Sequence, residues 1–452
     1  MTEKENSSLG KTIEALAENK RYGSLKDIFV TMNPADIAAI FDELPEKIQP
    51  LLFRLLPKEL AADTFVEMEP ETQELLIRGF SDSELKAVID ELFVDDAVDI
   101  VEEMPAIVVK RILKQADPEM RRMINDILNY PEDSAGSIMT TEYVDLHPAM
   151  TVSDAVRHIK KTGVDKETIN TCYVTDSKRC LIGIVSIRML ILADDESTVG
   201  DVMESHVISV ITTEDKESVA QMFVKYAFTA LPVVDNEGRL VGIVTADDAI
   251  DVLVDEATED IEKMAAITPS DRPYLKTSVL SIYANRIPWL LLLMISATFT
   301  CMILTHFEDS LSALVVLTAY IPMLMDTGGN SGSQASVTII RALSLNELDF
   351  KDIFRVIWKE IRVSCMCALT LGAVNFVKLM FFDKVGFLVA VVICLTLAAT
   401  VLVAKMVGCS LPMLAKRAGF DPAVCASPFI TTIVDALSLL IYLSVARQIL
   451  GI

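Results

Sequence analysis

The chain has 452 residues, 23% of them charged, with a formal net charge of −24 at pH 7 and a mean hydropathy of +0.41. That hydropathy does not fit a uniformly soluble protein this acidic, and the charge is divided: residues 1–283 hold 54 acids and 28 bases, residues 284–452 hold 10 and 12. The acidic half excludes a nucleic-acid partner, which needs a basic face, and the polar opening Met1 to Ser8 is not expected to be a secretion signal. The apolar half holds six of the eight cysteines, at 301, 365, 367, 394, 409 and 425. With no Cys-x-x-Cys and four dispersed histidines, these read as small apolar packers.

Between residues 36 and 105 an apolar residue recurs every twelve positions: Leu44, Leu56, Met68, Phe80, Leu92 and Met104. Pro follows at 45, 57 and 105, where it ends a helix. The pattern predicts short helices stacked into a superhelix. Carboxylates bunch at Asp95, Asp96, Asp99, Glu102 and Glu103, with Asp95 and Asp99 on one helical face. Hard divalent cations take such oxygen ligands, and Mg2+ keeps several of its waters while accepting one or two carboxylates.

From about 137 to 255 a longer unit repeats. Met139-Thr-Thr opens one copy and Met203-Glu-Ser the other, and Leu181-Ile-Gly-Ile-Val-Ser matches Leu240-Val-Gly-Ile-Val-Thr. The β-branched runs predict strands, and Asp235-Asn-Glu-Gly a hairpin turn. This repeat resembles a pair of cystathionine-β-synthase (CBS) modules, which dock as a tandem and often bind adenine nucleotides. The resemblance implies a ribose contact through Thr245 and Asp248. The matching segment of the first copy, Ser186-Ile-Arg-Met189, lacks the acid. A tandem serving only as a hinge or dimer platform is the alternative.

Residues 247–262 contain eight acids in sixteen positions. Ile250, Leu253, Ala257 and Ile261 are expected on the apolar face of a helix there. The run leads from the second CBS copy to the apolar half, as a connector with a sensing role would, although a solvated acidic face is the ordinary reading.

Five apolar blocks follow, roughly 287–305, 310–340, 363–382, 385–413 and 422–446. Each approaches or exceeds the roughly 20 residues that span a bilayer. Basic residues gather at 341–362 and 405–417, while the 306–309 and 378–384 loops are poor in them. That alternation places the N-terminal half in the cytoplasm and the C-terminus outside. The second block carries Gly328, Gly329 and Gly332 for close helix packing, with Asn330, Ser331, Ser333 and Gln334. Those polar side chains belong in a bundle interior, as glue between helices, or along an aqueous path. The fifth block carries Asp435 near mid-membrane, with no Lys or Arg within two helical turns. A carboxylate there costs about 2.5–3.5 kcal/mol on insertion scales and is a functional-site candidate. In a symmetric dimer two such acids would face each other across the axis, a match for one divalent cation.

Over nearly its whole length the chain resembles the MgtE family of magnesium channels and transporters. Gly328-Gly-Asn-Ser-Gly-Ser-Gln334 and Thr431-Thr-Ile-Val-Asp435 are the most specific segments. The resemblance implies a multi-domain membrane protein: an all-α acidic superhelix over 1–130, an α/β tandem CBS domain over 131–250, a connecting plug helix over 251–283, and a five-helix transmembrane domain over 284–452 that forms a homodimeric pore. It implies Mg2+ uptake across the cytoplasmic membrane, with Asp435 of both subunits holding mostly hydrated Mg2+ and with Asn330 and Asp421 near the pore or its mouth. Closure by cytosolic Mg2+ would use Asp95, Asp99, Asp248, Asp251, Glu256, Glu259 and Asp260. ATP is a candidate ligand of the CBS pair through Thr245 and Asp248. The rivals are transport of another ion, such as Co2+ or in exchange for protons, and a membrane-bound divalent-cation sensor that conducts nothing; flux through purified protein separates them. No P-loop, nucleophile–base motif or His-rich metal site points to an enzyme.

Overall fold

The structure, a computed structural model, describes residues 3–270, 274–275, 277–308, 315–425 and 427–451, without the side chains of 3–8, 425 and 427. Asp309, residues 310–314 at the head of the second apolar block, and the Cys425 side chain lie outside the described set. The chain divides into two compact units, Met1–Leu253 and Val254–Ile452.

The first unit opens with short helices from Glu3–Glu18 to Pro118–Ile127. The twelve-residue repeat marks their ends. Leu44, Phe80 and Met104 directly follow the helices Pro34–Glu43, Pro70–Gly79 and Val94–Glu103. All six repeat residues are buried. A second twelve-residue series, Phe29, Phe41, Phe53 and Phe65, stacks through the middle, with ring centroids 5.9, 6.3 and 6.0 Å apart. Where each chain turn would leave carbonyls buried and unpaired, a glutamine reaches in. Gln49 Nε2 donates to the carbonyls of Phe41 and Leu44, and Gln73 Nε2 to that of Phe65.

The CBS pair forms two three-stranded sheets of one plan. In the first, Asp145–Leu146 runs parallel to Thr171–Thr175, which pairs antiparallel with Leu181–Ser186. In the second, Val210–Ile211, Ala230–Val234 and Leu240–Thr245 repeat the order and the register. The methionines that open each copy are exchanged. A Cβ on Gly242 would sit 2.7 Å from the Met139 sulfur, and one on Gly183 would sit 2.5 Å from that of Met203. Each module's strand glycine therefore makes room for the other module's methionine.

Helix Ala246–Met264 leaves directly from the last strand. Its buried residues are Ala249 and Val252, while Ile250 and Ile261 are 58% and 65% exposed and Ala257 is exposed. Of the expected apolar face, Leu253 packs against the core that holds Ala249 and Val252, while the other three residues stay exposed. Docking on the CBS core sets the helix's rotation over its first two turns, and the stripe Ile250, Val254, Ala257 and Ile261 is left uncovered within this chain.

Among the described residues of the second unit, four helical segments are long and apolar enough to cross a membrane: Val279–His306, Phe350–Phe381, Phe387–Ala418 and Pro428–Leu450. A further helix, Ile321–Ser344, is 24 residues long but carries Asp326, Asn330 and several serines, which lower its hydropathy. Its glycines do what their spacing suggests. A Cβ on Gly408 of the 387–418 helix would fall 2.2 Å from the Gly332 carbonyl, so the two backbones touch. Lys405 departs from the sequence reading. It lies inside the 387–418 helix rather than in a loop, is 6% exposed, and sits 3.7 Å from Glu360 of the helix Ile353–Phe381. A buried charge needs a partner, and Glu360 supplies it.

Candidate functional site: two acidic clusters and an intramembrane carboxylate

The first cluster is built from the helix Val94–Glu103 and the start of the connecting helix. Its N-terminus is fixed by Glu142, whose carboxylate accepts from the Val94 N–H at 2.9 Å. This places Asp95, Asp96 and Asp99 in a cleft of about 620 Å3 with Glu167, Thr245, Asp247, Asp248 and Asp251. Eleven acids line the cleft, and no Lys or Arg does. Asp95 is 7% exposed, and its Oδ1 has no hydrogen-bond partner.

Burial first, then the neighbouring carboxylates, keep Asp95, Asp96, Asp99, Glu167 and Asp248 from ionising at their ordinary pH. Asp95 is raised well above the carboxylate range by burial and by Asp248, Asp96 and Glu167. Asp96 and Asp99 are each raised to about 7, by burial and then chiefly by Glu167 and Asp248 respectively. Burial, with Asp247 and Asp248, raises Glu167 to about 7. Asp248 rises only to about 6, because the Thr245 hydroxyl donates to its Oδ2 at 2.5 Å and partly offsets its burial. The Thr245–Asp248 pair named for a ribose therefore opens into the acidic cleft.

The second cluster lies in the other unit. Glu259 and Asp421 converge on Lys263, whose Nζ is 2.7 Å from Asp421 Oδ2 and also contacts Glu259. Asp260 accepts from the Ser344 hydroxyl at 3.1 Å. Its carboxyl is raised by burial, which that hydrogen bond opposes. Lys263 is held above its ordinary range because its hydrogen bonds to Asp421 and Glu259 outweigh burial. Glu256 stands on the same helix, partly exposed.

Among the membrane helices, Asp435 is partly buried, and Asp326 of the 321–344 helix is the charged group it feels most. Asp326, Asn330 and Gln334, one turn apart, share the exposed side of their helix. The opposite side, with Gly328, Ser331, Gly332 and Ser336, is buried. Asn330 and Gln334 thus lie outside the packed interior of the single chain, while Ser331 lies within it. Among the described residues no three acidic, His or Cys side chains converge as a closed metal-ligand set. The donor set nevertheless fits a hydrated divalent cation in the first cluster: many carboxylates, one orphaned buried oxygen, and room for water.

Comparison with known proteins agrees along the chain. A family profile described as "MgtE intracellular N domain" matches residues 32–133, CBS-domain profiles match 135–196 and 199–255, and one described as "Divalent cation transporter" matches 321–445. The magnesium transporter MgtE of Thermus thermophilus is 39% identical over 97% of both chains. The chain belongs to the MgtE family. The Bacillus subtilis magnesium transporter MgtE is 34% identical over 94% of both chains. A crystal structure of the cytosolic domain of the Mg2+ channel MgtE in complex with ATP is 36% identical, covering 54% of this chain and 99% of that one, with a TM-score of 0.51. The soluble part of a magnesium transporter matches with 31% identity and a TM-score of 0.52, over 56% of this chain and 99% of that one.

Asp326, Glu167 and Asp247 were not singled out in the sequence of this MgtE chain. Asp326 could have been found from its spacing, one turn before Asn330. Glu167 carries no local signal, because a loop brings it to the cleft.

Proposed function

We propose that the protein carries Mg2+ through the cytoplasmic membrane as a homodimer with five spans per protomer, its soluble half in the cytoplasm. Asp435 carries this reading: it is a carboxylate in an apolar helix with no basic partner among the described residues, beside a second acid, Asp326. The exposed Asp326–Asn330–Gln334 stripe supports the dimer, since such a surface is not stable against lipid. A second copy covering it creates an axial path. Two facing Asp435 side chains then offer a doubly charged cation two negative charges. Oxygen acceptors around a hydrated ion avoid stripping Mg2+ of water, which it gives up reluctantly. An inside-negative potential favours entry by about 2.3 kcal/mol per charge per 100 mV.

Cytosolic Mg2+ closes the path by bridging acids. Asp95, Asp99, Asp248 and Asp251 supply one bridge; Glu256, Glu259, Asp260 and Asp421 supply another at the mouth of the path. The uncovered apolar stripe of the connecting helix is the plug's contact with its copy. ATP reaches Thr245 and Asp248 only as its Mg2+ complex, because the free anion would meet a cleft of carboxylates.

The test is flux into vesicles. Wild-type protein is expected to admit Mg2+, and Asp435→Ala to admit none while keeping its elution profile and helix content. Normal flux in the variant removes the axial site, and flux of Co2+ but not Mg2+ by the wild type removes the choice of ion.

A further inference from the structure

A second cleft, of about 640 Å3, lies in the first unit and does not include Thr245 or Asp248. The thioethers of Met123 and Met139 and the ring of Tyr130 give it an apolar wall, and Lys178 and Arg179 stand on its rim. Its volume is that of a small-molecule site, and half of its fourteen lining residues are apolar or aromatic. Its three other charges are already used. Arg239 is bound to Asp235 at 2.7 Å, and Asp126 pairs with Arg122 at 3.6 Å. Among the described residues no carboxylate forms an ion pair with Lys178 or Arg179.

The chain contains its own control for Arg179. The two CBS hairpins are equivalent turn for turn. Asp176 Oδ1 accepts from the backbone N–H of Lys178 and Cys180, as Asp235 Oδ1 does from Glu237 and Arg239. The fourth position of the second turn is Gly238, at φ 77°; in the first turn it is Arg179, at φ 66°. Glycine is the default there because a Cβ is strained in the left-handed region. An arginine retained in a strained conformation calls for a reason in what its side chain does. The Arg179 carbonyl is pinned by the Leu240 N–H at 3.0 Å, and its guanidinium donates to the buried Tyr143 hydroxyl at 3.0 Å. That bond aims the guanidinium along the cleft rim and leaves its other donors for a ligand.

We propose that this cleft binds an organic phosphate, an anionic head on a flat apolar body, through Lys178 and Arg179. Two adjacent cations match the nearly two negative charges of a phosphate monoester at neutral pH. Arg presents a planar fork of donors suited to its oxygens, and the Met and Tyr wall takes the ring. The site stands apart from the transport reading and from the Thr245–Asp248 pair.

The test is equilibrium dialysis of AMP against the full-length protein in detergent without divalent cations. Arg179→Gly installs the residue that the sister turn carries, so melting is expected to stay level or rise while AMP affinity falls about tenfold or more. Lys178→Gln is expected to weaken binding several-fold, and adenosine to bind far less well than AMP. The proposal is overturned if the wild type binds no AMP at about 5 mM, if Arg179→Gly binds within about twofold of it, if adenosine binds as well as AMP, or if only Thr245→Ala loses binding.

Discussion

The two acidic clusters are both built from carboxylates and differ in whether a basic side chain stands among them. The cleft around Asp95, Asp99 and Asp248 has no Lys or Arg in its walls, whereas Glu259 and Asp421 close around Lys263. In the first cluster burial, with the neighbouring carboxylates, pushes Asp96 and Asp99 up to about 7. In the second the chain supplies the counter-charge itself. The difference teaches where a divalent cation changes most: at buried carboxylates that folding has crowded together without a basic side chain in the cleft wall.

The largest effect expected from this contrast is that of Mg2+ on the 94–103 helix. An ion that binds only the closed cleft stabilises it by about 2.7 kcal/mol at a hundred times its dissociation constant. Amide exchange in residues 94–103 of the full-length protein should then slow about a hundredfold, and residues 254–264 should respond less. Equal slowing by Na+ at matched ionic strength would make the effect mere screening and erase the contrast.

Protons should do part of the same work, and the sign follows from the direction of the shifts. Asp99 has an ordinary value of 3.8 and is raised to about 7 in the fold. Below the lower value both the closed and the opened states are protonated, and there is no penalty. As pH rises from about 4 to about 7 the opened state ionises first, so closure weakens, and the full cost is present above about 7. Without divalent ions the protection factor of the 94–103 helix, the exchange rate of an unprotected peptide at the same pH relative to its own, should therefore be higher at pH 5 than at pH 8. Asp99→Asn should flatten that dependence and Mg2+ should abolish it. A lower protection factor at pH 5 would show that the cleft has an internal counter-charge after all.

Much of this contrast was legible beforehand, and the misses have physical causes. The twelve-residue repeat was readable because Leu44, Phe80 and Met104 each close a helix and are buried there. Asp95 and Asp99 were paired correctly because helical spacing alone puts them on one side. Periodicity found the apolar stripe of the connecting helix but not what covers it. Its rotation is set by Ala249 and Val252 on the CBS core, leaving Ile250 and Ile261 bare. Lys405 was counted as a loop charge because hydropathy cannot distinguish a helix end from a buried ion pair with Glu360, 45 residues earlier in the chain. Lys263 escaped for a similar reason: its partnership with Asp421 joins residues far apart in sequence.

Lys263 also gives the smallest and sharpest prediction. The Lys263 and Asp421 side chains are 24% and 34% exposed, so solvent screens the pair, and such pairs contribute about 0–1 kcal/mol. Lys263→Gln should accordingly speed exchange in residues 254–264 only a few-fold in saturating Mg2+. Without Mg2+ the same change leaves Glu259 and Asp421 facing each other with no cation, and the segment should become as dependent on Mg2+ as the 94–103 helix is in the wild type. Lys263→Arg keeps the charge and should behave as the wild type does. If Lys263→Gln leaves the Mg2+ dependence of residues 254–264 unchanged, the lysine is not what distinguishes the two clusters, and the contrast between them has to rest on burial alone.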